Sequence, residues 1–176
     1  MKKILQKEEK VLHKVSSEIL VKDIKTPKIK KVLKEMAESL RAQPDGVAIA
    51  APQIGYSLRI FLVSGKVFDS NFVRGKGMPD GKAPLAPDLV FINPKISKLS
   101  REKDWVPEGC LSVRWLYGKT FRSKKATVSA YDEHGKKFTR GGSGLLAQIF
   151  QHETDHLNGI LFSDHAKDLK EETPQQ

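Results

Sequence analysis

The segment Gln151-His152-Glu153-Thr154-Asp155-His156 limits what this chain can be more than any other stretch. It reads H-E-x-x-H. On a helix, its two histidines stand at i and i+4, one turn apart on one face. Two imidazoles at that spacing can grip one metal ion while the glutamate between them reaches a water on that metal. The plainer alternative is a solvated helix face with incidental histidines. The surrounding sequence favours a helix. Gly141-Gly142-Ser143 reads as a break with Ser143 as cap, helical spacing runs from Gly144 to about His156, and Asn158-Gly159 reads as the stop.

A hydrolytic centre needs a further ligand, and its type separates the classes. Zincin peptidases take a downstream Glu or His, and the metzincin form continues H-E-x-x-H-x-x-G-x-x-H. This chain follows that form as far as Gly159, but Phe162 occupies the third histidine's place. Upstream, Glu108-Gly109-Cys110-Leu111-Ser112 holds the chain's single cysteine. One thiolate, two imidazoles and one open position make a sensible catalytic metal set. A lone cysteine is also commonly just a small buried apolar residue. His13 and His134 have no partner pattern, and His134 sits in a turn, so both are expected at the surface.

Three segments together resemble the peptide deformylases, in that family's order. Gly46-Val47-Ala48-Ile49-Ala50-Ala51-Pro52-Gln53 is similar to G-φ-G-φ-A-A-x-Q, where φ is an apolar residue. Glu108 to Ser112 matches E-G-C-φ-S. Gln151 to His156 with Leu157-Asn158-Gly159 matches Q-H-E-x-D-H-L-x-G. The resemblance runs from Ile4 to about Asp164. It implies an enzyme that removes the formyl group from the N-terminal formylmethionine of nascent polypeptides and releases formate. The implied fold is α+β, with small mixed or antiparallel sheets packed around a central helix that carries H-E-x-x-H. One deformylase-like catalytic domain is expected over 1–176, with a short polar tail from about 165. The sequence leaves two alternatives: a zincin-type metallopeptidase, and a catalytically impaired ribosome-binding relative.

The same resemblance assigns roles. Cys110, His152 and His156 are the expected ligands of one divalent ion. Fe2+ is favoured, and Zn2+, Ni2+ or Co2+ would suit the donors as well. Glu153 is the expected general base. The backbone N–H of Leu111 and the side-chain amide of Gln53 are the expected donors to the carbonyl oxygen as charge builds there. Gly46, Val47, Ala48 and Ile49, with Gly109, form the expected backbone site, where a peptide would pair as an added strand. Leu145, Gln148 and Ile149 are expected to line the methionine pocket. Gln148 puts an amide there that would be either unpaired or turned to water. Asp155 is expected to support the ligands rather than bind metal. The chain departs from the family pattern at Ala48, which replaces a glycine, and at Arg114-Trp115. The Ser64–Asp88 segment is also longer than in compact members, and the stretch after Asp164 is short.

Composition fits this reading. At 176 residues, 39% hydrophobic and 30% charged, the chain is long enough for one real core. No apolar run reaches membrane-spanning length, and Met1-Lys2-Lys3 does not lead into a signal sequence. A single cysteine suits the reducing cytoplasm, where the enzyme is expected to act. The net charge of +10 allows ribosome association through a basic surface, but it equally suits simple solubility. No aromatic-interleaved nucleic-acid motif accompanies it, so specific DNA binding is not expected. Elsewhere, Thr26-Pro27 opens a helix with Ile29, Val32, Leu33, Met36 and Leu40 at helical spacing, stopped by Pro44-Asp45-Gly46. Arg59–Ser64 and Leu89–Ile92 read as strands. Ala126–Tyr131 and Lys136–Thr139 read as a hairpin, and Gly65–Pro87 as a loop excursion.

Overall fold

Alternation of side chains along short apolar strands builds the centre of this molecule. Ile60 and Leu62 face one way and Phe61 and Val63 the other, and all four are buried. The computed structural model describes residues 1–73, 78, 84 and 86–172. Its strands are β1 (Ala48–Ala50), β2 (Ile60–Val63), β3 (Leu89–Leu99), β4 (Lys103–Gly109), β5 (Leu116–Ser123), β6 (Lys125–Tyr131), β7 (Lys137–Ser143) and β8 (Lys167–Glu171). Its α-helices are α1 (Pro27–Arg41) and α2 (Gly144–Leu157). An antiparallel sheet in the order β1-β2-β3-β6-β7 is joined by a second in the order β4-β5-β8. The fold is α+β.

The larger sheet lies between the two helices. On one face, Ile29, Val32, Met36 and Leu40 of α1 pack with Ile49, Ile60, Leu62 and Ile92. On the other, Ala147, Ile149, Phe150 and Leu157 of α2 pack with Phe61, Val63, Phe91 and Val128. Phe61 and Phe91 stack with ring centroids 4.6 Å apart, and Phe150 meets Phe91 edge-on at 5.4 Å. α2 is therefore held against the sheet by Ala147, Ile149, Phe150 and Leu157, with Phe150 the aromatic anchor, and this seats the two histidines it carries.

The helix ends largely follow the sequence signals. Thr26 Oγ1 accepts the Ile29 N–H, Pro27 opens α1, and the helix stops three residues before Pro44. Gly159, just past α2, has φ +74°, and a Cβ there would lie 2.7 Å from the His13 backbone, so only glycine fits. The start of α2 differs from expectation. β7 continues through Gly141-Gly142-Ser143, and Ser143 makes no side-chain cap. The chain passes directly from strand to helix at Gly144, whose φ is +56°.

Two other expectations are corrected. The polar stretch from about 165 is not a loose tail, because Lys167–Glu171 forms β8 and pairs antiparallel with β5. β3 extends well past Ile92 to Leu99, carrying two irregularities in its pairing with β6. Of the expected Gly65–Pro87 excursion, Gly65–Phe68 is a short 3-10 turn. Positions 74–77, 79–83 and 85 lie outside the described residues.

Candidate active site and metal centre

α2 presents His152 and His156 one turn apart, and the turn after β4 presents Cys110 to them. The thiol sulfur and one nitrogen from each imidazole all lie within 4.8 Å of one another. Cys110 Sγ is 3.2 Å from His156 Nε2. His152 Nδ1 donates to Glu108 Oε1 at 2.6 Å, which leaves Nε2 as the ring's free lone pair. His156 is buried, and its Nδ1 has no partner among the described residues. A soft sulfur and two imidazole nitrogens converging in this way fit a divalent transition metal. Phe162, at the metzincin position, is buried with its ring 6.4 Å from that of His152. It packs against the site and offers no ligand.

Glu108 organises the centre, a role the sequence reading missed. Its Oε1 accepts from His152 and from Arg122 Nη2, both at 2.6 Å. Its Oε2 accepts from Thr120 Oγ1 at 2.6 Å, Gln148 Nε2 at 3.0 Å and Arg122 Nε at 3.1 Å. Burial works against its charge, but the His152 and Arg122 contacts outweigh that and hold the carboxyl well below the usual carboxylate range. Arg122 then reaches Asp155 at 2.6 Å. Asp155 is thus one step removed through Arg122, since Glu108 is the carboxylate that touches the His152 imidazole. Thr120 and Arg122 alternate on β5 opposite Glu108's strand. Only the presence of Glu in E-G-C-φ-S hinted at this arrangement.

Glu153, next to His152 in the chain and lining the same cleft, is buried, with Oε2 unpartnered among the described residues. Burial, opposed by His152 and aided by the charges of Glu108 and Asp155, pushes its carboxyl up to about 7. Burial also opposes charge on His152, yet Cys110 and Glu108 push that imidazole well above its ordinary value. Burial and the His152 charge hold His156 well below its own. Gln53 is fixed from both ends. Its Oε1 accepts the Ala50 N–H at 2.8 Å, and its Nε2 donates to Ser112 Oγ at 3.1 Å and lies 3.6 Å from Cys110 Sγ.

A cleft of about 290 Å³ opens over this centre. Gly46, Val47 and Ala48 line one wall, Gly109 and Leu111 another, and Leu145, Gln148 and Ile149 a third, with Gln53, Cys110, His152 and Glu153 also lining it. β1 is an edge strand, hydrogen-bonded on one side to β2 alone among the described residues. Ile49 does not join the lining, because its side chain is buried in the α1-side core. The Ala48 side chain packs in the cluster under α2. Gln148 is corrected most. Its amide is neither unpaired nor in water, since Nε2 donates to Pro107 O at 2.8 Å and to Glu108. Arg114 ties two walls together through a two-pronged contact with Asp45 at 2.6 and 3.2 Å, and it also donates to Gln43.

This fold, with one cysteine sulfur and two imidazoles converging beside a buried carboxylate in a cleft, is that of a metal-dependent hydrolase. The polypeptide deformylase family matches residues 1–172. The chain is 37% identical to peptide deformylase 2 of Clostridium acetobutylicum, over 93% of this chain and 94% of that one. It is 40% identical to a peptide deformylase of Carboxydothermus hydrogenoformans, over 85% and 84%. Its structure superposes on a Met-Ala-Ser-bound class I type b peptide deformylase of Acinetobacter baumannii with TM-score 0.78 and 28% identity, covering 94% and 99% of the two chains. The chain belongs to the peptide deformylase family.

Proposed function

We propose that this chain removes the formyl group from the N-terminal formylmethionine of nascent polypeptides, with Cys110, His152 and His156 holding one Fe2+ ion. The convergence of one sulfur and two imidazole nitrogens within 4.8 Å carries this reading. A divalent ion bound there would supply an acidified water and polarise a carbonyl. Glu153, buried and with its Oε2 unpartnered among the described residues, takes a proton from the attacking water and returns it to the departing amine. The Gln53 amide, fixed by Ala50 and Ser112, and the Leu111 N–H face the formyl oxygen as negative charge gathers on it. The free edge of β1 pairs with the peptide backbone, so Gly46 to Ile49 and Gly109 recognise main chain and leave later residues unread. Leu145, Ile149 and the methylenes of Gln148 receive the methionine side chain. The enzyme acts in the cytoplasm on chains leaving the ribosome. No helix among the described residues is long and apolar enough to cross a membrane.

Formate release from formyl-Met-Ala-Ser, by protein prepared without oxygen and analysed for metal, tests the reading. Stoichiometric iron, formate production and decay of activity in air are expected, because oxidation of iron or of Cys110 disables the centre. Full activity that persists in air would assign Zn2+ or Ni2+ instead. Bound metal with no formate would mark an impaired relative.

A further inference from the structure

The two faces of the β4-β5-β8 sheet differ sharply. Glu108, Thr120 and Arg122 occupy the inner face and serve the metal centre. By strand alternation, Lys103 and Trp105 on β4 and Lys119 and Phe121 on β5 share the outer face. Trp105 and Phe121 stand directly opposite each other in the register, with ring centroids 5.2 Å apart. They are 40% and 50% exposed, which is unusual for a neighbouring pair of large aromatics. Lys167 of β8 places its ammonium 4.5 Å from the Trp105 ring centre, and that of Lys103 lies 5.7 Å from the Phe121 ring centre. Lys119 stands opposite Lys167 in the register and pairs loosely with Asp168 at 3.3 Å.

We infer that this outer face binds single-stranded RNA, with bases stacking on Trp105 and Phe121 and phosphates meeting Lys103, Lys119 and Lys167. Flat exposed rings flanked by lysine cations match the chemistry of an unpaired nucleotide, which offers a π-face and a negative charge at each step. The chain's net charge of +10 adds long-range attraction for a polyanion. A base that settles on a ring displaces the lysine above it, and the freed ammonium then takes the adjacent phosphate. The sequence hides this face, because Trp105 and Phe121 are sixteen positions apart and only the β4–β5 register brings them together. The inference rests on the deformylase reading in one respect, namely that such an enzyme meets its substrate at an RNA-rich particle.

The test is fluorescence anisotropy of a short labelled oligouridylate, and of a duplex of the same length, titrated with the metal-loaded full chain. Formate release from formyl-Met-Ala-Ser is measured on every sample. The parent should bind the single strand more tightly than the duplex. Trp105→Ala with Phe121→Ala should weaken that binding at least about tenfold, while formate release stays unchanged and certifies the fold. Trp105→Phe should retain most of the binding. Lys103→Glu with Lys167→Glu should also weaken it and flatten its salt dependence, by about 0.7 in the log–log slope per lost phosphate contact. Equal binding by the double-alanine protein, or a preference for duplex, would overturn the inference. So would absence of RNA binding by the parent, whether or not this face then adsorbs to anionic vesicles or self-associates. RNA binding without formate release in the parent would instead sink the deformylase reading and leave this one standing.

Discussion

Glu108 Oε1 and His152 Nδ1 are 2.6 Å apart, and that contact decides which nitrogen of His152 faces the metal site. An amide at position 108 would keep the shape but lose the charge that fixes the ring. Glu108→Gln should weaken metal binding by about 10–100-fold, the usual scale for a group that orients a ligand imidazole. Competition with a chromophoric chelator measures this. Unchanged affinity would mean that packing alone orients His152.

The ligand set makes a sharper demand. One divalent ion should bind per chain, and Cys110→Ala, His152→Ala and His156→Ala should each abolish stoichiometric binding, because among the described residues the cluster offers three donors and no spare. Affinity should also fall as pH drops, since thiolate and neutral imidazole both require lost protons. Full occupancy in the Cys110→Ala protein would rule the sulfur out.

Glu153→Gln separates chemistry from binding. Metal should stay while turnover drops by roughly a hundredfold or more. Stability should move the other way in the metal-free protein. The Glu153 carboxyl, pushed up to about 7 by burial, holds its proton in the folded state at pH values where the unfolded chain, with an ordinary value of 4.5, has released it. Its contribution to stability is therefore intact below 4.5 and lost as pH rises through 7. The Gln variant should exceed the parent in stability by on the order of 2–3 kcal/mol at about pH 8, with little difference near pH 4. Urea unfolding in the presence of a chelator shows the trend, and a gap that does not widen with pH contradicts it.

Gln148→Ile tests the corrected wall of the cleft. The amide bridges Pro107 and Glu108, so its removal strips hydrogen bonds from β4 rather than relieving an unpaired group. The variant should lose about 1–2 kcal/mol of stability, with no fall in KM for formyl-Met peptides. Denaturant curves and steady-state kinetics decide this, and a lower KM would revive the idea of an unfavourable polar wall.

The legible parts of this molecule were those with local rules. α1 could be read from Thr26-Pro27 and its apolar stripe, and the β6–β7 hairpin from alternation around Asp132–Gly135. Cys110, His152 and His156 stood out because metal chemistry restricts residue type and spacing. What stayed hidden depends on contacts between distant positions. Glu108 meets Arg122 and Gln148, fourteen and forty positions away, through strand register and helix docking that no short pattern encodes. β8 went unread because Lys167–Glu171 is exposed throughout and polar except for Leu169, and its strand form comes from pairing with β5 rather than from its own residues. The β7–α2 junction misled because two glycines and a serine normally mark a break, yet here they complete a strand.

The free edge of β1 lies on a wall of a cleft whose sides Arg114 and Asp45 tie together. A guest that pairs with that edge must arrive as a single extended segment with nothing bonded to its other side. A client whose first residues have already joined a helix, or taken a place in a sheet of their own, cannot present them in that form. Under the proposed pairing, the geometry would act as a clock, admitting a chain's beginning only in the interval before that beginning folds.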